Sequence, residues 1–120
     1  AVRQMLRDVG RYDDVLLAVT SDHGEELHDH QRWEHGYTLF EEQLWVPLVI
    51  KFPRARHAGA RVSAVVSSID VAPTILAAIS APVPASWQGR SLLGVVGGGG
   101  GAAPSIAAGV KWKPYMASVR

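Results

Sequence analysis

Residues 15–36 read VLLAVTSDHGEELHDHQRWEHG. Val15 to Val19 are apolar without alternation. A short run of that kind reads as a strand buried on both faces, as in parallel sheets. The chain then changes character at once. From Thr20 to Gly36 it carries four of its five histidines and five carboxylates, at Asp22, Glu25, Glu26, Asp29 and Glu34. Ligands in open α/β sheets bind beyond the carboxyl ends of the strands. Asp22-His23 stands at that end of this strand.

Upstream, Val2, Met5, Leu6 and Val9 recur at helical spacing, and Gly10 reads as the helix stop. A helix followed by a buried strand predicts α/β architecture. Downstream, Leu39 to Leu44 predicts a short helix with Thr38 as its N-cap. Trp45 to Ile50 predicts a second strand, with Pro47 near its start or on an edge. Arg61 to Ile69 is β-branched and apolar, a third strand candidate. Asp70 is placed to N-cap a helix over Val71 to Ile79, where Pro73 is tolerated in the first turn and Pro82 and Pro84 stop it. Trp87 to Ser91 reads as a turn. The expected organisation is a body over residues 1–96, a glycine-rich flexible loop over 97–109, and the start of a late strand over 110–120, at Tyr115.

Composition narrows the function classes. The chain has 120 residues, 48% of them apolar, and a net charge of +1 with both signs mixed. That pattern gives no footprint of a nucleic-acid partner or of a polybasic membrane patch. No apolar run reaches the length of a membrane span. With no cysteine, disulfides and thiolate metal sites are excluded. The chain opens on Ala-Val-Arg-Gln, already inside a helix-like pattern. It is therefore expected to be truncated at both ends, and the compartment stays open.

The histidine cluster admits two readings. Asp22 and His23 offer a hard oxygen and a borderline nitrogen, a mix suited to Mg²⁺, Mn²⁺ or Zn²⁺ and less readily to Ca²⁺. Gly24 would permit the backbone turn that brings both to one ion. His35, after a loop and before a helix, could donate a proton to a leaving oxygen or hold an oxyanion. The plainer reading makes Asp22-His23 an Asx turn and His28-Asp29-His30 a solvated loop. Local zinc signatures fail, since neither HExxH nor HxHxDH is present. Trp33 and Trp45 read as core or pocket walls, and Glu41 and Glu42 as a solvated helix face.

Taken together these residues carry a more specific pattern. TSDHGEELHDHQRWEHGYTLFEEQLWVPLVIKFP, residues 20–53, resembles the sulfatase family of the alkaline-phosphatase superfamily. There a strand ends in T-S-D-H-G-E, a basic loop and Y-E-E follow, and the next strand is V-P-L-I-I. SSIDVAPTILAAISAPVPASWQGRSLL, residues 67–93, is similar to that family's V-D-(L/I)-x-P-T-(I/L)-L stretch followed by D-G-x-S-L-L. YMASVR, residues 115–120, resembles the start of a late strand.

The resemblance implies part of an alkaline-phosphatase/sulfatase-like α/β fold, with a central mixed β-sheet flanked by helices. It implies hydrolysis of an anionic ester: a sulfate, or a phosphate or phosphonate ester in sister enzymes, which include phosphoethanolamine-type transferases. The metal ligands carry over to Asp22 and His23, and the substrate-facing histidine to His35. The cation would be Ca²⁺, Mg²⁺ or Mn²⁺. Family members are periplasmic, extracellular or membrane-attached.

The departures are specific. The frequent H-G-H is here His35-Gly36-Tyr37. Gln31 and Glu34 stand where glycines are common, and an acidic Glu34 is expected to point away from an anion pocket. The family's C-x-P-x-R or S-x-P-x-R, whose Cys or Ser becomes formylglycine, is not found; Ser80-Ala81-Pro82-Val83-Pro84 lacks the arginine. The nucleophile is therefore expected in a missing N-terminal part. A remnant that keeps the fold and binds no metal is the contrasting expectation.

Overall fold

The computed structural model describes residues 1–98 in full and the backbone of residues 106–110 and 113–119. The first helix, α1 (Val2–Asp8), forms where the apolar spacing predicts it. Gly10 ends it at φ +66°, a left-handed turn that glycine adopts without a Cβ penalty. The amides of Arg11 and Tyr12 then both return to the Leu6 carbonyl, at 2.8 and 3.0 Å.

The strand β1 (Leu17–Val19) pairs antiparallel with β4 (Val49–Lys51), Ala18 opposite Ile50. Lys51 pins the turn that leads into β1. Its ammonium donates to the carbonyls of Tyr12, Asp13 and Val15 and lies 4.7 Å from the Tyr12 ring centroid. The expectation of a strand buried on both faces is corrected here. Ala18 and Val19 are exposed, because among the described residues no second layer covers the ladder. The second strand also starts later than expected, at Val49. The Trp45 amide is still used by the preceding helix, bonded to the Glu41 carbonyl at 2.7 Å, and Pro47 has no N–H to give to a ladder.

Between β1 and β4 lies the segment that builds the site. A short hairpin, β2 (Glu26–Leu27) with β3 (Trp33–Glu34), is followed by α2 (Glu41–Leu44). The N-cap of α2 is Phe40 rather than Thr38. The Thr38 hydroxyl is engaged elsewhere, accepting from Gln43 Nε2 at 2.6 Å.

Residues 61–67 form no strand, which corrects the third strand expectation: β propensity alone makes no strand without a partner ladder. A single 3₁₀ turn, Ser68–Asp70, leads into α3 (Val71–Ala78). Asp70 does not cap α3 with its side chain. Its buried carboxylate accepts the amides of Ser67 at 3.1 Å and Arg90 at 2.9 Å, tying the start of the helix to the later turn. Thr74, fully buried, donates to the Asp70 carbonyl at 2.6 Å and accepts from the Leu92 amide at 2.9 Å. Gly89 packs so closely that a Cβ there would lie 2.1 Å from the Ile69 carbonyl oxygen. Leu92 is buried beside this knot and opens α4 (Leu93–Val96).

The expected loop over 97–109 is shorter at its far end. Ile106–Val110 forms β5, paired antiparallel with β6 (Lys113–Val119), which contains Tyr115. An immediate hairpin partner turns a proline-free apolar stretch into a strand; residues 99–105 lie outside the described residues. The α/β class stands, though among the described residues the strands form three separate two-stranded antiparallel ladders rather than one mixed sheet. No described helix is long and apolar enough to cross a membrane.

Thr74→Val would keep the shape of the buried side chain and orphan the Leu92 amide. It is expected to cost about 1–3 kcal/mol in urea unfolding. Gly89→Ala is expected to cost more, because its clash is with backbone. Unchanged midpoints in both variants would show that this knot is not what fixes the turn to α3.

Candidate functional site

Asp22 and His23 follow β1 directly. Asp22 Oδ1 accepts the His23 amide at 2.9 Å, and the Ser21 hydroxyl donates to the His23 carbonyl at 2.7 Å. The expected Asx turn does not form: its carboxylate would accept the amide two residues on, and the Gly24 amide goes to the Gln43 carbonyl instead. The contacts still set the two side chains together, with Asp22 Oδ2 3.7 Å from His23 Nε2. His23 Nδ1 lies 2.7 Å from the Gly24 carbonyl oxygen. A carbonyl can only accept, so Nδ1 carries a proton and points Nε2 the other way. A ligating imidazole is commonly oriented by such a bond from its other nitrogen. The Asp22 carboxyl is held below the ordinary aspartate value of 3.8, first by the His23 amide, then by its own amide and the charge of His23. An ionised carboxylate and an oriented imidazole, side by side, fit a divalent cation.

His35 arrives from the far side of the hairpin. Its ring stacks on that of His23, with centroids 3.8 Å apart and an interplanar angle of 25°. Its Nδ1 lies 3.2 Å from Glu25 Oε2. Glu25 was not singled out from sequence, yet His23, Glu25 and His35 each offer a ligand atom within 4.8 Å of the others. Two donor groups, Asp22/His23 and His23/Glu25/His35, thus share one imidazole on an exposed surface.

The other histidines are elsewhere. His28 is exposed beside Trp33, at 5.6 Å between ring centroids. The solvated-loop expectation fits His28 and Asp29 but not His30. Its ring stacks on Phe40 at 3.7 Å, and its Nδ1 lies 3.2 Å from Oε1 of the fully buried Glu26. Trp33 and Trp45, expected as core or pocket walls, are 61% and 73% exposed. Glu42, expected as solvated, has a buried Oε2 without a hydrogen bond, 3.9 Å from His30 Nδ1. Glu34 is exposed.

The loop that carries these residues is unusual in its backbone. His28, Gln31 and Glu34 have φ of 79°, 59° and 78°. At the last two, where the resemblance leads one to expect glycine, the backbone takes the left-handed form. Each such residue costs on the order of 1–2 kcal/mol. Gly24 is needed for a different reason from the one expected. Its φ is not positive; a Cβ there would lie 1.9 Å from the Glu42 carbonyl oxygen. Glycine is present because α2 passes against it.

Comparison with known proteins bears on this arrangement. The model of the family described as Sulfatase matches residues 1–81. The chain is 44% identical over 90 residues to the multifunctional alkaline phosphatase superfamily protein PehA of Trinickia caryophylli, covering 73% of this chain and 17% of that one. Its structure is similar, at a TM-score of 0.83 and 28% identity, to a protein solved in complex with its substrate D-glucosamine-2-N,6-O-disulfate, covering 99% of this chain and 26% of that one. It is also similar, at a TM-score of 0.79 and 29% identity, to the phosphonate monoester hydrolase of Silicibacter pomeroyi, covering 99% and 27%. The chain thus spans about a sixth to a quarter of the length of the proteins it matches.

The geometry makes a titration prediction. In a carbon-detected NMR titration the Asp22 carboxyl should protonate below 3.8, so its negative charge persists under mildly acidic conditions. Gly24→Ala should disperse the set, seen as loss of the nuclear Overhauser contact between the His23 and His35 rings. A midpoint above 3.8, or an intact contact in the alanine variant, would contradict the turn geometry.

Proposed function

The chain belongs to the sulfatase family, and from that premise we propose that the protein carrying it hydrolyses sulfate esters with a divalent cation held in part by Asp22 and His23. The observation that carries this reading is the approach of Asp22 Oδ2 to His23 Nε2, 3.7 Å apart, with the His35 ring stacked beside them. Residues 1–96 then belong to the catalytic domain, and β5 and β6 to a late hairpin of the same domain.

Asp22 would hold the cation through its carboxylate, and His23 through Nε2, with Nδ1 oriented by the Gly24 carbonyl. The cation, Ca²⁺, Mg²⁺ or Mn²⁺, would when bound polarise the ester and offset charge on its oxygens. Glu25 engages His35 at Nδ1, which leaves Nε2 for the substrate. As imidazolium, His35 can contact the sulfate or pass its Nε2 proton to the leaving oxygen, with Glu25 balancing its charge. The chain contains no cysteine and no C-x-P-x-R or S-x-P-x-R. The nucleophile, a formylglycine in the family this chain resembles, and the remaining acidic ligands are proposed to come from outside these residues.

A second reading keeps the same residues and changes the ester. Similarity to a phosphonate monoester hydrolase favours phosphonate or phosphodiester hydrolysis, with phosphoethanolamine-type transfer as a more distant relative of that chemistry.

The two readings separate on the whole protein assayed with 4-nitrophenyl sulfate and with a phenyl phosphonate ester. The sulfate is expected to give the higher kcat/KM, and the reverse order would transfer the assignment to the second reading. Chelation should abolish turnover and cation addition restore it. Asp22→Ala should lose both cation and turnover. His35→Ala should lower kcat by about 10²–10⁴-fold, and His28→Ala should stay near wild type. Wild-type turnover in Asp22→Ala would sink the proposal; equal losses at His28 and His35 would assign the role to the loop as a whole.

A further inference from the structure

One residue that none of the preceding chemistry uses touches both halves of the site. Gln43 in α2 is only 5% exposed. Its backbone carbonyl accepts the Gly24 amide at 2.8 Å, next to the Asp22-His23 pair. Its side-chain Oε1 accepts the Gly36 amide at 2.9 Å, next to His35. Its Nε2 donates to Glu26 Oε2 at 2.9 Å and to the Thr38 hydroxyl at 2.6 Å. The orientation of the amide is dictated by its partners. A carboxylate can only accept, so it takes the NH₂, and a backbone N–H can only donate, so it takes the oxygen. Both amide hydrogens and the oxygen are used, in a buried setting where an unmade bond is costly.

We infer that Gln43 is a positioning residue that sets His35 against the Asp22-His23 pair, its backbone holding the ligand side and its side chain holding the His35 side. This rests on the proposed function and adds to it a residue that touches neither substrate nor cation. The side chain of glutamine suits the position chemically. Glutamate would set a second carboxylate against buried Glu26. Leucine would orphan the Gly36 amide and one Glu26 oxygen. Asparagine is one methylene shorter and cannot span the same partners.

The division of labour makes the test selective. Side-chain substitution leaves the bond from Gly24 to the Gln43 carbonyl in place. In the whole cation-loaded protein, Gln43→Leu should therefore keep its affinity for Mn²⁺ by calorimetry, and lose kcat by up to about 10²-fold, the scale of a small misplacement. The loss should vanish in the His35→Ala background, because both changes remove one contribution; independent effects would add. Amide exchange gives a readout without activity, since Gly36 should lose protection and Gly24 keep it. Gln43→Glu supplies a second variant if leucine impairs folding. Protonated, it can donate to Glu26, so its kcat relative to wild type should rise as pH falls.

Wild-type kcat in Gln43→Leu, while Asp22→Ala is inactive, would overturn the positioning role and leave the proposed function standing. Additive losses with His35→Ala, or loss of Mn²⁺ affinity in step with kcat, would likewise overturn it by showing a general structural effect. Full turnover in Asp22→Ala would instead strike the functional reading, and the positioning role would fall with it.

Discussion

The site depends on a backbone contact that no side chain makes. The Gly24 amide meets the Gln43 carbonyl at 2.8 Å, and a Cβ at position 24 would collide with the neighbouring Glu42 carbonyl. Because α2 comes this close, the turn holding Asp22 and His23 is backed by a fixed element rather than by solvent. The same approach sets the Gln43 side chain beneath the loop that delivers His35. The strands β1 and β4 bring the two ends of the segment together; the Gly24 contact decides how the interior is folded between them.

Among the described residues, what is buried is largely polar. Glu26, Gln43, Asp70 and Thr74 are buried, against Phe52 and Leu92 among large apolar side chains. Each polar group is committed to named partners: backbone amides at the turns for Asp70, other side chains for Glu26, and both kinds for Gln43. Specific bonds of this kind fix a geometry more narrowly than apolar contact does. Around Glu26 and Gln43 such bonds hold Asp22, His23 and His35 in one arrangement. The apolar surface left exposed includes Val19 and Val49 on the strands, Trp45 at the end of α2, and Trp33 and Phe40 beside His28 and His30.

Much of this was legible in the chain. The spacing of Val2, Met5, Leu6 and Val9 located α1, and Pro73, Pro82 and Pro84 bracketed α3. The Asp-His pair could be set at the end of a strand, and His35 separated from the loop histidines. Long-range pairing was not legible. The burial of Glu26 is set by Gln43, seventeen residues on, and no local pattern distinguishes it from solvated Glu25. The stacking of His23 on His35 depends on a hairpin of two residues a strand, too short to show a period. Arg61 to Ile69 had the composition of a strand and no ladder to join. The exposure of Val19 follows from which surfaces the chain offers to cover it, and composition carries no information on that.

The network around Gln43 joins residues 24, 26, 36, 38 and 43, all within a window of twenty positions. Loop-closure entropy grows only slowly with length, and short closures are the first to be repaid. The geometry that sets His23 against His35 can therefore form by local search, with no need to wait for distant chain to arrive. Under the proposed function, groups from elsewhere then meet a face already in register, and the encounter has only to bring the other.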